Sequence, residues 1–240
     1  MNEILLFGDS FADNEYRFNG EKTWYDKLDI KKNYAIQGIG ITRLIKIFEN
    51  EIQKFKLSDL NDKFLLIILA DCYRFDFDYL PDIKMSANAK MICNYKNADV
   101  FLKDNNILKH IDFYRTNFDR IKRDYDSFYS NLLNQLLPVQ SIHYFLNFSS
   151  YFKKVILWPS NQVYLENEVS RQIGCDFNIV NELIVENKNL YFVRKSFYDI
   201  VLEQDSNENL NNHLEYENHE KVFNLIYNWF FKNKKVNYDN

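Results

Sequence analysis

The residues best suited to chemistry in this 240-residue chain stand at its very start. The apolar run Ile4-Leu5-Leu6-Phe7 breaks at Gly8-Asp9-Ser10-Phe11. That places a serine on a glycine-assisted turn at the carboxyl end of a predicted buried strand, the edge where open α/β sheets carry their chemistry. Ser10 is therefore a candidate nucleophile. Serine hydrolysis needs two further parts: a base that accepts the hydroxyl proton, and donors aimed at the oxyanion of the tetrahedral intermediate. Histidine is the natural base, because its intrinsic pKa lies near neutrality. The chain has four: His110, His143, His213 and His219. His110 and His143 are flanked by helix-forming residues and read as structural or solvent-facing. His219 reads as a first-turn residue of the last helix. His213 differs, since Asn211-Asn212-His213-Leu214 is a polar segment after the last predicted strand, which brings it to the same sheet edge as Ser10. For the oxyanion, Gln37-Gly38-Ile39-Gly40 follows the second apolar run. It reads either as a source of backbone N–H donors or as a plain strand-to-helix turn.

Short apolar runs that alternate with amphipathic stretches must position these residues, and that alternation predicts βαβ units around a parallel sheet. The predicted strands are Glu3 to Phe7, Asn33 to Ile36, Phe64 to Leu69, Val155 to Trp158 and Leu190 to Val193. A short helix is expected over 23–28, with Trp24 and Leu28 on one face. A longer one is expected from Thr42 to Phe55, carrying Leu44, Ile45, Phe48 and Ile52 at helical spacing. The last, from about Glu217 to Phe231, would bury Val222, Phe223, Ile226 and Trp229 or Phe230. Between the third and fourth strands the span of about 72–154 is too long for a simple crossover and must hold helices of its own. In it Ile111, Tyr114, Phe118, Ile121, Tyr125, Phe128 and Leu132 are spaced 3, 4, 3, 4, 3 and 4 apart, the stripe of one long helix. The stripe packs on the sheet or a neighbouring helix, or else forms a homodimer seam or a cap over the site. At the entry to this span Tyr73, Phe75, Phe77 and Tyr79 read as core or as the lining of a ligand site. Together the elements predict one domain over 1–240, a flavodoxin-like three-layer α/β/α fold with a central parallel five-stranded sheet and a long helical insertion after the third strand.

Composition narrows the function classes. Apolar residues make up 46% and aromatic residues 17% of the chain, enough to exclude disorder. A net charge of −4, with Lys and Arg dispersed among Asp and Glu, gives no footprint for nucleic acid. The cysteines, Cys72, Cys93 and Cys175, are odd in number and lack a Cys-x-x-Cys pair, so neither a disulfide framework nor a structural metal is expected, and no cofactor motif is present. No segment approaches the length of a membrane span, and the N-terminus lacks the pattern of a secretion signal. The expectation is a soluble, cytoplasmic protein with no membrane partner.

At this point the residues resemble a family. Gly8-Asp9-Ser10-Phe11, then Asn33-Tyr34-Ala35-Ile36-Gln37-Gly38, and finally His213-Leu214 look like the first, second and last blocks of the SGNH, or GDSL, hydrolases, in order and over nearly the whole chain. The resemblance implies Ser10 as nucleophile, the N–H groups of Ser10 and Gly38 as oxyanion donors, and His213 as base. Two departures stand out. Where the family's third block reads Gly-x-Asn-Asp, this chain has Leu69-Ala70-Asp71-Cys72-Tyr73-Arg74; Cys72 takes the place of the Asn donor, and Cys72 and Arg74 are the candidate substitutes. Where the family places its acid three residues before the histidine, this chain has Leu210. The nearest upstream carboxylates are Glu208 and Asp205, of which Asp205 is preferred because a polar, loop-like stretch joins it to His213; a Ser-His dyad is the alternative. The implied activity is hydrolysis of a small acyl ester on a small molecule or glycan, such as an O-acetyl group on carbohydrate. Acyl transfer at the same site and a degenerate binding protein are the alternative readings.

Overall fold

A computed structural model of the chain describes residues 3–12, 23–74, 79, 91–135, 137–165, 178–203, 214 and 216–236. Five strands, β1 (Ile4–Phe7), β2 (Lys32–Asn33), β3 (Phe64–Leu69), β4 (Lys154–Pro159) and β5 (Leu190–Phe192), form one sheet in the order β2-β1-β3-β4-β5. Every neighbouring pair is parallel. β3 and all but the first residue of β4 are buried from end to end. This is why both read as unbroken apolar runs, because a parallel strand with helices on both sides has no solvent face.

Alternate residues of these strands feed two separate cores. Leu5, Phe7, Leu65, Ile67, Leu69, Val155 and Leu157 point to one face, and Ile4, Leu6, Phe64, Leu66, Ile68, Ile156 and Trp158 to the other. The first face is covered by α2 (Ile41–Ile52), α6 (Leu137–Ser149) and α7 (Asn178–Glu186). The second is covered by α1 (Trp24–Lys27), α8 (Phe197–Leu202) and α9 (Tyr216–Lys232). The result is a three-layer α/β fold, as expected. A short helix, α3 (Leu57–Leu60), precedes β3, and between β3 and β4 stand α4 (Ala98–Asp104) and α5 (Ile111–Gln135) as well as α6. None of the helices among the described residues is long and apolar enough to cross a membrane.

Differences from the predicted elements have local causes. β2 pairs over only two residues. The N–H groups of Tyr34 and Ile36 still donate to the carbonyls of Leu6 and Gly8, and the intervening Ala35 N–H, which faces away from β1 on this edge strand, is satisfied at 2.9 Å by the side chain of Asn33. The chain runs beside β1 without completing a ladder. α2 ends at Ile52 rather than Phe55 because Lys54 and Phe55 donate to carbonyls three residues back, the tighter turn that often closes a helix. In α9, Leu225 takes the core position expected of Phe223, which is only half-buried. From Tyr114 to Phe128 the stripe of α5 packs within the chain. Tyr114, Phe118, Ile121 and Tyr125 pack with Ile92, Phe101 and Leu102 into a third apolar cluster, and Phe128 touches both that cluster and the sheet's first core.

Candidate active site

Order reversal in the sheet decides where a site can lie. The chain passes from β1 outward to β2, then returns to place β3 on the other side of β1. The connections leave the carboxyl ends of β1 and β3 in opposite directions, and a crevice opens between them. The structure has a cavity of about 300 Å³ there, lined by Asp9 and Phe11 after β1, Asp71, Tyr73 and Arg74 after β3, and Ser160, Asn161, Gln162 and Val163 after β4, with Tyr198 from α8.

Ser10 occupies the tip of the turn after β1. The Asp9 carbonyl accepts from the Ala12 N–H at 3.0 Å and its carboxylate Oδ1 from the Phe11 N–H at 3.2 Å. These two bonds close the backbone around Ser10, leaving it half-buried between two cavity-lining residues. Asn33 Nδ2 donates to the Ala12 carbonyl at 2.7 Å and ties the far end of the turn to β2. Gly38 has φ +75°, in the left-handed region that favours glycine, so a side chain there would strain the turn after β2. Gly40 is required for a different reason: a Cβ at that position would lie 1.9 Å from the carbonyl oxygen of Arg74. The turns after β2 and β3 therefore press directly on one another.

Asp71 organises the β3 turn. Its Oδ1 accepts from the Tyr73 N–H at 2.9 Å and from Asn161 Nδ2 at 2.8 Å, and its Oδ2 lies 3.6 Å from Arg74 Nε. Arg74 is thus held against Asp71 at the cavity wall, whereas Cys72 is fully buried in the first core and does not line the cavity. The Asn161 side chain also receives the Val163 N–H at 3.2 Å, capping the short 3₁₀ turn of Gln162–Tyr164. Tyr164 Oη donates to the Ala70 carbonyl at 2.6 Å and anchors that turn to β3. Tyr198 reaches the cavity because its N–H donates to the Ser160 carbonyl at 2.9 Å, at the start of a helix capped by Ser196 and Asp199. From the insertion, Tyr125 Oη donates to the Tyr73 carbonyl at 2.6 Å. Helix α5 thereby holds the β3 turn from outside.

Asp9 is 2% exposed, and burial pushes its carboxyl up to about 6 against the pull of Arg74 and the Phe11 N–H. The Ser160 hydroxyl lies close enough to favour the charged carboxylate, but without the alignment of a hydrogen bond.

Of the site residues predicted from sequence, Arg74 lines the cavity, Ser10 stands on the turn between two lining residues, Gly38 stands on the turn after β2, which supplies none of the lining residues, and Cys72 belongs to the core beneath. Asp205, Glu208 and His213 lie outside the described residues, as do Phe75 and Phe77. His143 is exposed on α6, and His110 caps the start of α5 through its carbonyl, which accepts from the Tyr114 N–H. His219 closes the first turn of α9, where its Nδ1 accepts from the Trp24 N–H at 3.4 Å. Tyr73 lines the cavity, while Tyr79 packs in the insertion, bonded to Asp124 and stacked under Arg120. Sequence reasoning missed Asp71, Ser160, Asn161, Gln162 and Tyr198. Asp71 and Ser160 carried a signal, because polar residues directly after apolar strands fall on this sheet edge. Tyr198 carried none, since only the docking of α8 brings it in. Among the described residues no group of three or more His, Cys, Asp or Glu side chains is arranged to hold a metal ion. Comparison with protein-family models, with curated proteins and with solved structures finds no match to this chain.

Proposed function

We propose that the chain is a serine esterase of SGNH type acting on small acyl esters. The observation that carries this reading is the position of Ser10, at the tip of a braced turn at the switch point of a β2-β1-β3-β4-β5 parallel sheet, between two residues that line a cavity. In the proposed reaction Ser10 Oγ attacks the ester carbonyl carbon while its proton passes to His213. The tetrahedral oxyanion is met by the N–H groups of Ser10 and Gly38, and the alcohol departs with the proton that His213 held. Water, deprotonated by the same histidine, then releases the acid and restores the serine. The acid behind His213 is assigned to Asp205.

Labelling with a fluorophosphonate probe and turnover of p-nitrophenyl acetate test the reading. Wild type should label once per chain, Ser10→Ala should not label, and kcat/KM should fall at least ~10³-fold in that variant. Labelling that survives Ser10→Ala would refute the nucleophile. One observation favours a second reading, a family member that binds without catalysis. Arg74 is engaged by Asp71 and Cys72 is buried in the core, so both substitutes for the family's Asn donor are committed elsewhere. A wild type that takes no label yet binds ligand in the cavity would establish that reading instead.

A further inference from the structure

Ser160 follows β4 directly, is 3% exposed and lines the cavity, and among the described residues its buried Oγ makes no aligned hydrogen bond, although the Asp9 carboxylate lies beside it. Such a hydroxyl costs stability unless something satisfies it. Its neighbour Asp9 is also buried at the cavity and is bonded through Oδ1 to one backbone N–H. The remaining carboxylate, Asp71, is engaged by the Tyr73 N–H, Asn161 and Arg74.

We propose that Ser160 and Asp9 form a two-point receptor for a neutral hydroxyl group of the ligand, and that the cavity discriminates against anions. A hydroxyl is the group that matches both partners at once, accepting from Ser160 Oγ–H and donating its own proton to the Asp9 carboxylate. A ligand carboxylate has no proton for Asp9. It would also stand beside two carboxylates, with Arg74 as the one cation lining the cavity among the described residues, a like-charge arrangement that is strongly disfavoured. Phe11, Tyr73 and Tyr198 line the same cavity and give it aromatic surface for the carbon skeleton that bears the hydroxyl. Above about pH 6 the Asp9 carboxyl is ionised and is the acceptor this arrangement needs. The inference rests on the esterase reading only in placing the hydroxyl on the substrate; binding itself does not involve Ser10 Oγ.

The test uses the full chain carrying Ser10→Ala, which cannot turn over, titrated at pH 7.5 by saturation-transfer NMR with two matched probes, methyl β-glucopyranoside and methyl β-glucopyranosiduronate. The neutral probe should bind and the anionic one should bind at least ~10-fold more weakly. Adding Ser160→Ala should weaken the neutral probe about fivefold while raising Tm by about 2–4 °C, because an unsatisfied buried hydroxyl has been removed. That opposition separates a ligand-receiving residue from a structural one, whose loss would lower Tm. Equal binding of the two probes, no transfer to the glucoside, unchanged affinity in the Ser160→Ala chain, or a lowered Tm would each overturn the proposal. Fluorophosphonate labelling of wild type is scored separately: absent labelling with the binding pattern intact removes the esterase reading alone, and labelling without the binding pattern removes this one alone.

Discussion

Asp9 is the residue on which the edge of the sheet turns. Its carbonyl and carboxylate shape the loop that presents Ser10, and its burial raises its own pKa to about 6 from an ordinary 3.8. The consequence for stability has a definite sign. Between those two values the folded chain keeps a proton that the unfolded chain has lost, so stability falls as pH rises through that window. Two units correspond to roughly 3 kcal/mol, present in full below about pH 4 and lost above about pH 6. Asp9→Asn keeps an oxygen for the Phe11 N–H and removes the ionisation. Urea unfolding at pH 4 and pH 7 should therefore show the wild type losing roughly 2–3 kcal/mol more than the variant over that interval. Equal losses in the two proteins would show that Asp9 does not carry the proton.

Among the elements, the turns after β2 and β3 are coupled by contact rather than by charge. Gly40 lies so close to the Arg74 carbonyl that any Cβ must displace the β3 turn, and Asp71 and Arg74 with it. Gly40→Ala should cost on the order of 2 kcal/mol or more in denaturant unfolding, because overlap with backbone cannot be relieved by a rotamer change. It should also reduce fluorophosphonate labelling at Ser10. A variant as stable and as reactive as wild type would mean that this close approach does not shape the site. The same β3 turn is held from the other side by Tyr125 Oη on the Tyr73 carbonyl. Tyr125→Phe removes that donor while keeping the ring, and should destabilise by about 1–2 kcal/mol, measured by the shift in denaturant midpoint at constant slope.

At the scale of the molecule, three apolar clusters divide the work among the described residues. Two are the faces of one sheet and cannot separate, since neighbouring residues of each strand belong to different faces. The third is formed by α4 and α5 around Phe101, Tyr114, Phe118 and Ile121, and joins the first core through Phe128. Phe118→Ala should leave a cavity worth about 3–5 kcal/mol within that cluster. In hydrogen exchange the loss of protection should be confined to α4 and α5, with β3 and β4 still protected. Uniform loss across sheet and insertion would instead make the whole chain one cooperative unit.

What the sequence determined by itself was the local and periodic part. Phe64 to Leu69 was legible as a strand because parallel strands buried on both faces read as continuous apolar runs, and α5 was legible because its stripe repeats with the pitch of a helix. The turn at Ser10 was legible because glycine and a polar pair interrupt an apolar run. The tertiary structure alone decided which strand ends meet. Asp71 and Ser160 stand 89 residues apart in sequence, yet they follow neighbouring strands and line one cavity. Register between β3 and β4 brings them together, and register depends on pairing between distant segments that no local pattern encodes. The same holds for Arg74, whose direction follows from its ion pair with Asp71, and for Tyr198, which a docked helix delivers. Periodicity lies along the chain and can be read there, whereas a site is a convergence across it.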